Sequence, residues 1–196
     1  TRKQFNFIEG FLKKKYQVIL NPISTSDLRN NPIDLNTKHS LPIDKYVIIS
    51  KGYFHQSEFL NVAYKVLINL GIKIYVFGSY KSDSLKKYPL IKFFGYLNSP
   101  AYKVYLNNCF VYLCVEDFAC CPNALIEAQY FGKPIIGPNN GSLPEMCPSP
   151  TMQLLNYDSN IENKLKAILN EYIKNYDYWV RKSFQFSKNK FGIKQY

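Results

Sequence analysis

The stretch that most limits what this chain can fold into runs from Pro122 through Asn123, Ala124, Leu125, Ile126, Glu127 and Ala128 to Gly132-Lys133-Pro134-Ile135-Ile136-Gly137. An apolar run, Cys109 to Val115, precedes it, so the segment reads as strand, loop, helix opening at Pro122, then a second strand. Proline suits a first helical turn because its missing N–H would find no partner there anyway. Asn123, Ala124 and Leu125 then present backbone N–H groups at the positive end of the helix, where an anion such as a diphosphate can bind. Glu127 follows about one turn after Asn123 and lies on the same face. Donors for phosphate beside a carboxylate for sugar hydroxyls make a nucleotide-sugar site the leading reading of this block.

The rest of the chain alternates in the same way. Lys3 to Lys14 reads as a helix, Gln17 to Leu20 as a short strand, and Ser24 to Pro42 as a loop or linker rich in Asn, Pro, Ser and Asp. A buried strand is expected over Tyr46 to Ser50, then a helix over Glu58 to Leu70, where Phe59, Val62, Ala63, Val66, Leu67 and Leu70 fall at helical spacing before Gly71. Strands follow at Lys73 to Phe77 and Ile91 to Phe94, a helix at about Ala101 to Asn107, and the Cys109 strand. Beyond the central helix come a strand from Pro134 to Gly137, a loop to Pro150, and a short strand from Gln153 to Leu155. Helices over Ile161 to Tyr172 and from Asp177 to just before Gly192 close the chain.

This pattern predicts an α/β fold: a doubly wound, Rossmann-like parallel sheet of about six strands with helices on both faces. Residues 1–42 are expected to form an N-terminal helix, a short strand and a linker, and residues 43–196 a nucleotide-sugar-binding domain. Ligands of such sheets bind outside the carboxyl ends of the strands, which gathers the loops after Ser50, Phe77, Phe94, Val115 and Gly137 around one crevice.

An apolar share of 46% and an aromatic share of 16% exclude a disordered chain, and the Tyr and Phe residues read mostly as core and sheet filler. No stretch approaches the roughly 18 apolar residues that span a bilayer, and no cleavable signal is read at the start, so a cytoplasmic location is expected. A net charge of +11 favours polyanions or an anionic membrane face. Apart from Lys13-Lys14-Lys15 the lysines are scattered, as on a solvated surface, and no nucleic-acid motif accompanies them. Five cysteines without a C-x-x-C pair, and only His39 and His55, give no zinc pattern. Cys109 and Cys114 suit a buried strand, Cys120 and Cys121 lie in the central loop, and an odd cysteine count fits a reducing compartment.

Taken in order, these features resemble the C-terminal, donor-binding domain of GT-B glycosyltransferases, especially the retaining family 4 (glycosyl transferases group 1). Val18-Ile19-Leu20-Asn21-Pro22-Ile23 is similar to that family's linker strand, Val76-Phe77-Gly78-Ser79 to its first glycine loop, and Phe93-Phe94-Gly95-Tyr96-Leu97 to its second. Pro122 to Gly137 resembles the family's "P-N-a-l-x-E-A-x-x-x-G-x-P-v-i", Gly141-Ser142-Leu143-Pro144-Glu145 its "G-G-x-P-E", and Phe186 through Tyr196 its closing segment.

The resemblance implies that Glu127 binds the ribose hydroxyls of a nucleoside-diphosphate sugar, and that backbone groups near Phe94 and Gly95 meet the base. It further implies that Gly78, Ser79 and Pro122 line the donor site, and that the amides from Asn123 to Leu125 meet the diphosphate or the sugar. Lys51 stands for the cation that neutralises the diphosphate, so neither metal nor cofactor is implied beyond the donor itself. The family's acidic residue eight positions before Glu127 falls here on Ala119. Glu116 is favoured as its replacement over Asp117, on the condition that the loop bulges back. The family's second cation has no clear counterpart, only His55 and Gln56 standing nearby. The chain begins about where the family's interdomain linker lies, so the acceptor half would come from a partner chain or from self-association.

Three functions follow in order. The first is a glycosyltransferase, or its donor-binding subunit, acting with retention. The second is a non-catalytic nucleotide-sugar-binding module. The third is a basic binder of nucleic acid or of a membrane surface, the latter also a peripheral contact open to the first.

Overall fold

A computed structural model describes residues 33–34, 36–54, 58–80, 88–115, 123–147, 154–156 and 158–191, with backbone alone at 50–54, 80 and 154. The expected helix at Lys3 to Lys14 and strand at Gln17 to Leu20 lie outside the described residues. Within them, strands β1 (Tyr46–Phe54), β2 (Lys73–Tyr80), β3 (Ile91–Gly95), β4 (Val111–Leu113), β5 (Ile135–Pro138) and β6 (Leu154–Leu155) form one sheet in the order β3-β2-β1-β4-β5-β6. Every pairing is parallel. The helices are α1 (Glu58–Asn69), α2 (Ser99–Asn108), α3 (Asn123–Tyr130), α4 (Leu143–Met146), α5 (Ile161–Lys174) and α6 (Tyr176–Phe191). This is the doubly wound α/β arrangement expected from the sequence.

Alternate strand residues point to opposite faces, so strands covered on both sides must be apolar throughout. Val47, Ile49, Ile74, Val76, Val111, Leu113 and Ile136 face one core, shared with α1, α5 and the first turns of α6. Tyr46, Ile48, Phe77, Tyr112, Cys114 and Ile135 face the other, shared with α2, α3, α4 and the last turns of α6. An aromatic wall underlies α2 on this second face. Tyr46 stacks on Tyr75 at 4.4 Å and Phe77 on Phe94 at 5.0 Å, with Tyr102 and Tyr105 closing the cluster. The aromatic surplus read from composition therefore packs the sheet.

One buried hydroxyl ties the layers together: Tyr172 of α5 donates to the Ile135 carbonyl at 2.8 Å and is fully buried. Tyr172→Phe leaves that contact unmade without changing the packing. A loss of about 1–2 kcal/mol is expected, read as a lower urea midpoint at unchanged m-value.

Several boundaries differ from the sequence reading, each for a local reason. β1 runs on to Phe54 and β2 to Tyr80, because their pairing resumes after a register shift between Ser50 and Tyr53. Gly78 and Ser79 therefore sit inside β2 rather than in a loop after Phe77. The strand expected over Cys109 to Val115 narrows to β4: Cys109 caps α2 through its N–H to Leu106 O, although Cys114 still donates to Ile136 O at 2.8 Å. α2 starts earlier than expected, at Ser99, because Asn98 accepts from the Ala101 N–H and Pro100 occupies the first turn. The loop expected after Gly137 holds the one-turn helix α4, anchored by buried Leu143 and Met146.

Candidate functional site

The chain builds outward from β1 through β2 to β3, then crosses back to lay β4 on the other side of β1. The strand order thus reverses between β1 and β4, and at such a reversal the crossovers leave a crevice outside the strand carboxyl ends. α3 follows β4 and opens at this edge. Asn123 is exposed, Ala124 half-buried and Leu125 buried, so the leucine side chain anchors the first turn in the core. Their three amides fall where helix geometry provides no intrahelical acceptor. The helix begins at Asn123, and Pro122 lies outside the described residues.

Glu127 lies one turn further in and is half-buried. Burial raises its carboxyl above the usual range, and the nearby Lys103 ammonium of α2 partly draws it back. A carboxylate in this position is poorly hydrated and so is a strong acceptor for hydroxyl groups. Lys103 escaped the sequence reading because nothing in its local pattern marks it. Only the packing of α2 and α3 on one face brings it within reach of Glu127.

On the other side of the reversal, β1 and β2 end together, Phe54 opposite Tyr80, while β3 stops earlier, at Gly95 opposite Phe77. Gly78 (φ 117) and Gly95 (φ 67) carry backbone angles that favour glycine, and a Cβ built on Gly95 meets nothing within 4 Å. The strand end at Gly95 is therefore open to a ligand. Phe94 is half-buried against Phe77, so its side chain belongs to the aromatic wall. Tyr96, absent from the sequence-based candidates, is 73% exposed and donates to Ser79 Oγ at 3.3 Å, bridging the ends of β2 and β3.

Of the remaining candidates, Lys51 belongs to β1 at the register shift, but its side chain is outside what the structure describes. Glu116 and Asp117, with Cys120, Cys121 and His55, lie outside the described residues. Glu145 is half-buried in α4, which Gln129 of α3 holds through its Nε2 donating to Met146 O at 2.6 Å. Cys109, Cys114 and Cys147 are free and buried, and burial pushes the Cys109 thiol up to about 12, which makes it unreactive. His39 sits on the opposite side of the molecule, its backbone N–H donating to Asp177 Oδ1. Among the described residues no group of three or more His, Cys, Asp or Glu is placed to hold a metal, and no helix is long and apolar enough to cross a membrane.

No protein-family model matches the chain, and no curated protein sequence does. Solved structures do. AviGT4, a glycosyltransferase involved in avilamycin A biosynthesis, superposes with a TM-score of 0.60 at 15% identity, over 82% of this chain and 52% of its own. The pneumococcal O-GlcNAc transferase GtfA, solved with UDP and GlcNAc, gives 0.58 at 16% identity over 97% of this chain and 41% of its own. The C-terminal domain of LpcC, a glycosyl transferase group 1 family protein from Francisella tularensis, gives 0.60 at 12% identity over 79% of this chain and 89% of its own. The chain thus spans about half of AviGT4 and nearly all of an isolated C-terminal domain. Its fold is that of one half of a GT-B glycosyltransferase.

Proposed function

We propose that this chain binds a nucleoside-diphosphate sugar across the β1/β4 crevice and acts as the donor half of a retaining, family 4-like glycosyltransferase. The observation that carries this reading is the opening turn of α3 at the strand-order reversal, with a half-buried Glu127 one turn behind it. The amides of Asn123 to Leu125 hold the diphosphate, Glu127 accepts from the ribose hydroxyls, and the backbone around Gly95 borders the base. When the glycosidic bond to the diphosphate breaks, negative charge grows on the leaving phosphate. Helix-end amides aimed at that oxygen stabilise it without reorganising, and Lys51 is the cation assigned to share the load. Glu116, in preference to Asp117, is assigned to the donor sugar.

GtfA was solved in complex with UDP and GlcNAc, which supports a UDP-sugar as the first donor to try. This chain covers 52% of AviGT4 and 41% of GtfA, which supports reading it as one half of a longer assembly that also holds an acceptor half. A partner chain or a second copy is assigned that role, with peripheral contact at a membrane as the setting for a lipid-linked acceptor. Neither metal nor cofactor is required in this scheme, because helix-end donors and one cation balance the diphosphate charge.

Calorimetric titration with UDP-, GDP- and ADP-sugars tests the reading. One of the three is expected to bind saturably, with little dependence on salt. Steep salt-dependent binding to DNA without nucleotide affinity would overturn it in favour of a polyanion binder. Donor binding without turnover, in the presence of any acceptor half, would reduce the chain to a binding module.

A further inference from the structure

At the amino ends of the strands, opposite the crevice, Ile33 and residues 38–43 lie over the junction of α2, β5 and α6 and border a half-open cavity of about 390 Å³. Its lining includes Lys38, His39, Ser40, Asn107, Asn108 and Lys133, and no carboxylate among the described residues. Lys133 is the unusual member: a lysine only 5% exposed, directly before β5. Its Nζ donates to the Asn107 carbonyl at 2.7 Å, the one hydrogen bond it makes among the described residues, for a group that has three protons to give. A buried ammonium is costly unless it is paired. Burial pushes the Lys133 ammonium below its ordinary range, opposed by the Cys109 thiol, which its own burial keeps neutral, so an anion beside Nζ would favour the charged form. The nearest acid on α6, Asp177, is already engaged by Arg181 Nε at 2.9 Å and by the His39 N–H at 2.7 Å.

The outer wall is built rather than loosely draped. Arg181 Nη2 donates to Thr37 O at 2.6 Å, and Ile33 packs beside Gly132 and Val180. The volume lies within the roughly 300–1,000 Å³ of ordinary small-molecule sites and exceeds what a bare inorganic ion fills. Two lysines match a dianion, while the amides of Asn107 and Asn108 and the Ser40 hydroxyl suit the hydroxyl groups of an organic body.

We propose that this cavity is a second ligand site, separate from the donor crevice, that takes a small organic phosphate with its phosphate on Lys133 and Lys38. The assignment is independent of the donor-site reading, since it uses none of the same residues.

Titration at constant ionic strength with glucose 6-phosphate as probe, and glucose and glucuronate as controls, tests it. Glucose 6-phosphate is expected to bind saturably and glucose not at all, with glucuronate at least several-fold weaker. Lys133→Met keeps the side-chain volume and should weaken glucose 6-phosphate at least ten-fold, and Lys38→Gln, at an exposed position, about three-fold or more. Excess UDP should leave the affinity unchanged. Absence of saturable binding, equal affinity in both variants and wild type, or displacement by UDP would each overturn the assignment. Should Lys133→Met fail to fold, Lys38→Gln with the UDP competition decides alone.

Discussion

Glu127→Gln is expected to weaken UDP and UDP-sugar binding by about 10- to 100-fold while leaving the protein, at pH 7, no less stable and about 1–3 °C higher in melting temperature. The two effects have one cause. Burial raises the Glu127 carboxyl above its ordinary value, so the fold favours the neutral acid over the carboxylate. For such a group the favourable contribution is fully present below the unfolded-state pKa and is lost as pH rises through the raised folded-state pKa. Above that raised pKa the carboxylate is charged and its desolvation opposes folding, and glutamine removes that opposition. The gain is small because Glu127 is only half-buried and Lys103 already offsets part of the cost.

Binding moves the other way. A charge-assisted hydrogen bond contributes about 1.5–3 kcal/mol, and each 1.4 kcal/mol is a factor of ten in affinity. Wild-type affinity should also fall as pH is lowered through the raised pKa, whereas the variant should show no such limb. A surface glutamate with a purely structural role would give neither the affinity loss nor the pH limb. Wild-type UDP affinity in the variant would remove Glu127 from the site.

How much of this was legible in the sequence depends on whether the signal was local. The strands were, because burial on both faces demands unbroken apolar runs such as Tyr46 to Ile49, and those runs need no knowledge of neighbours. α1 and α5 were legible from their apolar spacing. α4 was not, since a single turn is too short to show a period and is held by Leu143 and Met146 packing into a core built elsewhere. The extensions of β1 and β2 were hidden for a similar reason: a glycine pattern after Phe77 signals a turn, yet pairing to β1, Ser79 with Tyr53 and Tyr80 with Phe54, carries the strand through it.

At the site, the α3 block was legible because a helix start has its own chemistry. The partners that tune it were not. Lys103 reaches Glu127 from another helix, and Tyr96 meets Ser79 across two strands. Lys133 shows the same limit from the other side. In the sequence it is one polar residue in a turn, and only the packing of distant segments around it makes it a buried lysine.

Gly132→Ala is expected to destabilise the protein by about 2–4 kcal/mol, a fall of about 5–15 °C in melting temperature, and Gly71→Ala by no more than half as much. Both glycines end a helix in the same motif. Gly132 N–H donates to Gln129 O and Lys133 N–H to Ala128 O, each at 2.9 Å, as Gly71 and Ile72 do to Ile68 and Leu67. Their backbone angles are almost equal, φ 67 and φ 66. An alanine at either carries the same left-handed cost, about 1–2 kcal/mol. The surroundings differ. A Cβ on Gly71 meets nothing within 4 Å, whereas one on Gly132 lands 2.8 Å from Val180 Cγ1 and 3.0 Å from Ile33 Cγ1. Val180 is buried in the core with α5 and the sheet, so it yields only by shifting toward the cavity that it and Ile33 line. The difference between the two variants, measured by urea denaturation, therefore reads the packing of α3's end against α6 and the 33–43 segment, free of the conformational cost common to both. Equal losses would mean that Val180 and Ile33 move aside at no cost, and that the wall of the lysine cavity is not held as the contacts at Thr37 and His39 require.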